Sequence, residues 1–176
     1  MEPTDMSRLS TRLLIWLVVT IFSSHQALAK SGMSRELGIL YRYDSAKSPT
    51  SSYLNHEFQL FALAPFKAFW IGGECVYAQI TNSSNKSSRL DAGALAKYWI
   101  VDPGSGVGLN ITTGAAIGRQ NNGNDPVSTF TLKAGPELAW FISEGAAIST
   151  TIQYASRRAG PTYTVIGIHS GASLFF

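Results

Sequence analysis

A single cysteine, Cys75, in 176 residues excludes an intramolecular disulfide and leaves no Cys/His framework for a structural metal. Charge is sparse as well. Asp, Glu, Lys and Arg make up 14% of the chain, the net charge is +3, and Lys and Arg never form a run, so nothing recommends a nucleic-acid partner. G-x-S-x-G, the P-loop and H-E-x-x-H are all missing, which removes the commonest local signatures of serine hydrolases, nucleotide-binding proteins and zinc proteases. Neither a cofactor nor a metal site is expected.

A long apolar run is also lacking. Leu13 to Phe22 is ten residues interrupted by Thr20, about half of the ~20 that a helix needs to cross hydrocarbon. Arg8 and Arg12 precede it and Ala27-Leu28-Ala29 follows. A basic start, a short apolar core and a small-x-small site predict a secretory signal peptide over 1–29, with the mature chain beginning at Lys30. No cysteine stands at that junction to carry a lipid. The remaining 147 residues (176 less 29) form one domain, 30–176.

After Lys30 the helical period is missing and a period of two takes its place. Leu37, Ile39, Tyr41 and Tyr43 share one face, with Glu36, Gly38 and Arg42 on the other. Leu54, Phe58, Leu60 and Ala62 oppose Asn55, Glu57 and Gln59, with His56 off the pattern. Phe69, Ile71, Cys75 and Tyr77 oppose Gly72 and Glu74, blurred by Trp70 and Val76. Leu90 to Ile100, Val107 to Ile117, Val127 to Ile142, Ala146 to Tyr154 and Thr164 to Phe176 repeat the alternation. Eight segments result, most about ten residues long, the length of a tilted strand crossing a membrane (~9–11) rather than that of an ordinary soluble strand (~5–6).

The links alternate too. Asp44 to Ser51, Thr81 to Arg89, Arg119 to Pro126 and Ala155 to Pro161 read as longer polar loops, while Leu63 to Lys67, Asp102 to Gly106 and Ser143 to Gly145 read as short turns. Short turns on the periplasmic side and longer loops outside are the habit of outer-membrane barrels, so both chain ends belong in the periplasm. Lipid offers no hydrogen-bond partner, and the first and last strands must therefore pair to remove every edge. The fold class expected is all-β: an eight-stranded antiparallel up-and-down transmembrane barrel. Pro136, which cannot donate to a ladder, should mark a bulge or an early strand end. Phe69, Tyr98, Trp140 and Phe176 should form the periplasmic aromatic girdle, and Tyr43, Tyr53, Tyr77, Phe130 and Tyr154 the outer one.

The closing segment Ile166-Gly-Ile-His-Ser-Gly-Ala-Ser-Leu-Phe-Phe176 resembles the terminal assembly signal of bacterial outer-membrane barrels. Phe176, Leu174, Ala172 and Ile168 match that signal, and Ser170 departs from it. Length and strand count are similar to the OmpA/OmpX-type small barrels. The resemblance implies recognition by the barrel-assembly machinery and residence among outer-membrane lipid and lipopolysaccharide, with a porin-like shape in a Gram-negative cell envelope. It carries no catalytic motif.

A soluble lipocalin-like binder alternates as well, but with its apolar face inward. Here the inward face would carry Arg42, Glu57, Glu74, Asp91, Lys97, Lys133, Glu137 and His169, a mixed-sign set that suits a lumen filled by mutually paired side chains rather than an apolar cavity or a gated ion path. Ile152-Gln-Tyr-Ala-Ser156 is similar to the catalytic strand of lipid A deacylases, yet Gln153 stands where the His would be and Ala155 where the Ser would be. His169 and Ser170 point to opposite faces, and Ser173 lies about 13 Å along the strand from His169 at ~3.3 Å per residue. The expectation is a monomeric, non-enzymatic barrel with a structural or surface-contact role, with lipid A modification as the alternative. Asn82 to Ser87 and the pair Arg157-Arg158 are the candidate outer contacts, the two arginines for lipopolysaccharide phosphates.

Overall fold

The computed structural model describes residues 35–47, 52–82, 85–101, 106–122 and 126–176; the expected signal segment and Lys30 lie outside them. The strands are β1 (Glu36–Lys47), β2 (Ser52–Phe66), β3 (Phe69–Asn82), β4 (Lys86–Val101), β5 (Val107–Asn121), β6 (Val127–Ser143), β7 (Ala146–Arg158) and β8 (Thr162–Phe175). Each pairs antiparallel with its sequence neighbours, and β1 pairs with β8 to close the barrel. The seam runs from Glu36 opposite Phe175 to Tyr41 opposite Ser170. Arg35 and Phe176 extend it by exchanging backbone hydrogen bonds of 2.8 and 3.1 Å. Both described termini thus lie at one end, with Gly106 and the links 67–68 and 144–145 (the turn end); the opposite end is the loop end.

The period-two faces separate as the pattern dictates. Leu37, Ile39, Leu60, Ile71, Leu90, Ile117, Leu132, Ile148 and Ile168 are exposed on the outside, while their sequence neighbours are buried in the lumen. From Phe130 to Trp140 along β6 the outward positions span about 33 Å at ~3.3 Å per residue, or roughly 25 Å along the axis at a tilt of ~40°, the height of a lipid-facing band. Aromatic side chains border that band. Phe66, Phe69, Trp140 and Phe176 stand outward at the turn end, with Tyr98 packed on Phe69 at 5.4 Å between ring centroids. Tyr43, Tyr77, Phe130 and Tyr154 stand outward toward the loop end. The side chain of Tyr53 lies outside the described set. His56 joins the outer girdle, its Nδ1 2.7 Å from the Tyr41 hydroxyl.

Three expectations are corrected. The strands run 12 to 17 residues and absorb much of what the sequence presents as loops, including Asp44–Lys47, Lys86–Arg89 and Ala155–Arg158. Beyond the outward apolar band both faces of these strand ends are largely polar, so alternation fades from the sequence while the backbone ladder continues. The second concerns Pro136, which causes neither a bulge nor an early end. It sits opposite Ile111 of β5, and the β6–β7 register simply skips Gly135 and Pro136, resuming unshifted from Ala134–Tyr154 to Glu137–Thr151. The missing N–H costs one local interruption on the β7 side, and Gly135 accommodates it by letting the Ile152 carbonyl approach where a Cβ would stand. The register shifts occur instead between Trp99 and Val101 of β4 and between Phe141 and Ser143 of β6, both at the turn end, where bulges re-aim strands at barrel rims.

The third correction is the turn between β2 and β3, which lies at 67–68 rather than beginning at Leu63. Lys67 takes the left-handed conformation, φ 55°, that tight hairpin turns require.

Gly171 controls the seam. A Cβ there would stand 1.8 Å from the Ile39 carbonyl oxygen and 2.8 Å from the Leu40 Cα, so any side chain forces β1 and β8 apart. Gly171→Val is expected to cost about 1–3 kcal/mol or more, as overpacking does, and to lower the fraction of chain that refolds in detergent, read as loss of the heat-sensitive fast-migrating band on gels. Refolding equal to that of the parent chain would contradict it.

Candidate functional site

The lumen holds the polar chemistry. An eight-stranded barrel has an interior just wide enough to be filled by side chains, and here the filling is layered. At the turn end Leu40, Phe61, Leu63, Trp70, Leu95, Trp99, Ala139, Ala147 and Phe175 form a buried apolar cluster, with Phe141 packed against it. Edge-on and tilted ring contacts tie Trp70 and Phe141 to Phe175 at 5.9 and 5.1 Å. The sequence pattern predicts a polar lumen and does not foretell this apolar layer. Trp70, which blurred the third segment, is the visible trace of this plug: it follows the inward parity.

Next to the plug, Lys97 Nζ donates to Glu36 Oε1 (2.8 Å) and Glu137 Oε1 (2.7 Å) and lies 4.4 Å from the centroid of the Phe61 ring. Glu137 also accepts from Asn110 (3.1 Å) and Thr151 (3.1 Å). Farther toward the loop end, Glu57 gathers three partners: Arg89 at 2.6 Å, His169 Nε2 at 3.2 Å and Arg157 at 3.4 Å. Asp91 pairs with Arg89 (2.8 Å) and accepts from Thr129 (2.6 Å). Glu74 is paired with Lys133 and accepts from Gln59 at 2.8 Å. Arg42 reaches Asp44 at 2.5 Å, and its guanidinium covers Gly167 on β8.

The eight residues expected in the lumen, Arg42, Glu57, Glu74, Asp91, Lys97, Lys133, Glu137 and His169, all stand inside and buried. Seven of them form three clusters, around Glu57, Glu74 and Lys97, and Arg42 pairs separately with Asp44. Glu36, Arg89, Arg157 and Asn110 complete the clusters and were not among the expected participants. Parity was the signal for each: Arg89 is in step with Asp91, and Arg157 with Thr151 and Gln153. Among the described buried residues five cations (Arg42, Arg89, Lys97, Lys133, Arg157) face five carboxylates (Glu36, Glu57, Glu74, Asp91, Glu137). The interior is therefore balanced in charge and offers no single-sign path for an ion.

Arg157 requires a correction. Expected on the surface beside Arg158, it is 6% exposed and turns into the lumen, because β7 continues through Arg158 and alternation sends successive residues to opposite faces. Arg158 alone of the pair is exposed. The terminal residues Ile168, Leu174 and Phe176 stand outward with 60%, 57% and 61% exposure, on the strand that closes the seam. Gln153 and Ala155, which align with the deacylase positions, are buried on the lumen side, as is His169. Among the described residues no group of three or more His, Cys, Asp or Glu side chains could hold a metal.

Paired charges in a dry lumen depend on one another, since removing one partner strands the other away from water. Glu74→Gln and Lys133→Met are each expected to destabilise the barrel by about 3–5 kcal/mol. The double variant, which removes both charges and keeps an acceptor for Gln59, should recover most of that loss. Urea unfolding in detergent followed by the gel shift measures this, and additive losses in the double variant would show that the pair is not coupled.

No protein-family model and no curated protein matches the chain. Solved structures do. Neisserial surface protein A superposes over 81% of this chain and 97% of its own, at 14% identity and a TM-score of 0.59. The outer membrane protein Ail of Yersinia pestis aligns over 82% of this chain and 99% of its own, at 12% identity and a TM-score of 0.48. The first superposition takes in about four fifths of this chain and nearly the whole of Neisserial surface protein A. The chain has the closed, antiparallel, eight-stranded fold of the small OmpA/OmpX-type outer-membrane barrels.

Proposed function

We propose that this chain is an integral protein of the bacterial outer membrane, exported with a signal peptide cleaved after Ala29, and that it acts as a rigid, non-conducting, non-enzymatic barrel with a structural or surface-contact role. One observation carries the reading: a predominantly apolar exterior surrounds a lumen closed by the Phe61–Trp70–Trp99–Phe175 plug and by charge-balanced pairs. Such an exterior is stable only against hydrocarbon or a second apolar surface. The filled interior offers water no continuous column. Insertion by the barrel-assembly machinery through the outward Ile168, Leu174 and Phe176 belongs to the same proposal.

Lipopolysaccharide is the proposed surface partner. Arg158 projects outward at the loop end of β7, and Arg119 is exposed at the same end of β5. Guanidinium groups there suit phosphate geometry. Lipid A modification finds less support, because His169 is fully buried and bonded to Glu57, out of reach of an acyl chain in the bilayer.

Membrane fractionation should recover the protein with the outer membrane, its N-terminus beginning at Lys30; recovery in the soluble periplasmic fraction would end the proposal. In planar bilayers no steady conductance is expected, and a stable open level would overturn the closed lumen. Replacing Arg119 and Arg158 by Ala should reduce lipopolysaccharide that copurifies with the folded barrel. Lipid A from overexpressing cells should keep its acyl pattern by mass spectrometry, and a lost or added chain would favour the enzymatic alternative.

A further inference from the structure

At the loop end the lumen opens into a cavity of about 420 Å³, within the ~300–1,000 Å³ of small-molecule sites. Its walls carry five amide side chains and a single charged group, Arg157. Asn55, Asn82, Asn85, Gln120 and Asn122 line it, contributed by β2, the end of β3, the residue before β4, β5 and the residue after β5. Arg157 and the Tyr163 ring form another part of the lining, the guanidinium 5.9 Å from the ring centroid.

From these observations we propose that the cavity binds a neutral saccharide. Two amides each donate one hydrogen bond and have their acceptors free. Asn55, 3% exposed, donates from Nδ2 to Asp44 (3.3 Å), and its Oδ1 has no protein partner. Gln120 donates from Nε2 to Asn122 Oδ1 (2.8 Å), and its buried Oε1 likewise lacks a protein partner. Unpaired buried acceptors call for donors from a ligand, and sugar hydroxyls supply donors and acceptors together.

The remaining lining fits the same class. Among the described residues around the cavity there is no carboxylate to attract a cation. The one cation, Arg157, is already engaged by Glu57 (3.4 Å) and Thr131 (3.3 Å), so little charge is left for an anion. Tyr163, 37% exposed, offers an aromatic face for the C–H side of a pyranose ring. Asn82 and Asn85 are fixed by reciprocal backbone hydrogen bonds of 2.8 and 3.2 Å, which lowers the ordering cost of binding. The inference goes beyond the structural role above and does not depend on which side of a membrane the cavity faces.

Saturation-transfer NMR on the full chain folded in detergent tests it. Glucose, galactose, N-acetylglucosamine and lactose serve as neutral probes, with glucuronate and glucosamine as charged controls. At least one neutral probe is expected to receive saturation, and Tyr163→Ala and Gln120→Ala are each expected to weaken its binding by about tenfold, with the heat-shifted gel band retained. The proposal is overturned if no neutral probe binds, if the folded variants bind as well as the parent, or if glucuronate binds ahead of every neutral probe, which would make the cavity an anion site on Arg157.

Discussion

Backbone hydrogen bonding within one closed sheet is the constraint from which the rest of this structure follows. Each N–H and C=O beneath the outward apolar band needs a protein partner where side chains keep water away, and a sheet can provide that on every strand only by closing. Closure is achieved at the β1–β8 seam, from Glu36–Phe175 to Tyr41–Ser170, where Gly171 allows the two strands to approach. Once the sheet is closed, period-two alternation acquires an absolute meaning, because one face looks outward and the other into an enclosed space. The same Leu, Ile and Val side chains that would form the core of a soluble protein become its exterior.

The enclosed space is then filled by two kinds of packing that solve different problems. At the turn end aromatic and aliphatic side chains exclude water without needing partners, and the tilted rings of Trp70, Phe141 and Phe175 close the lumen by shape. Toward the loop end charged side chains fill the width, and each must be compensated because an isolated ion in a low-dielectric interior is costly. Lys97 illustrates the junction between the two: it lies beside the Phe61 ring while bridging Glu36 and Glu137. At the far end the charges give way to amides around a cavity. The polarity of the lumen thus changes in steps along the axis, from apolar through ionic to neutral polar.

Much of this was legible beforehand. Outward residues such as Leu60, Ile111 and Leu132, and inward ones such as Glu57, Lys97 and Glu137, announce themselves because lipid and lumen make opposite demands on alternate positions. The expectation failed where those demands relax. Beyond the band Arg157 belongs to a strand whose two faces are both polar, so its neighbour Arg158 gave no contrast by which to orient it. At the turn end Trp70 and Trp99 are apolar on the inward side, so contrast was lost in the opposite sense. Pro136 suggested a break that cooperative pairing on the β5 side overrides.

By itself the sequence determined the number of strands, their order and the side faced by residues where apolar and polar positions alternate cleanly, since a two-residue period, eight repeats and the need for closure admit one simple topology. Tertiary structure alone decided which lumenal charges meet. Glu57 finds Arg89, Arg157 and His169 across separations that reach 112 residues in the chain. Those meetings depend on strand register and on the curvature of the closed wall, which bring distant strands face to face across a narrow interior and which no local pattern encodes.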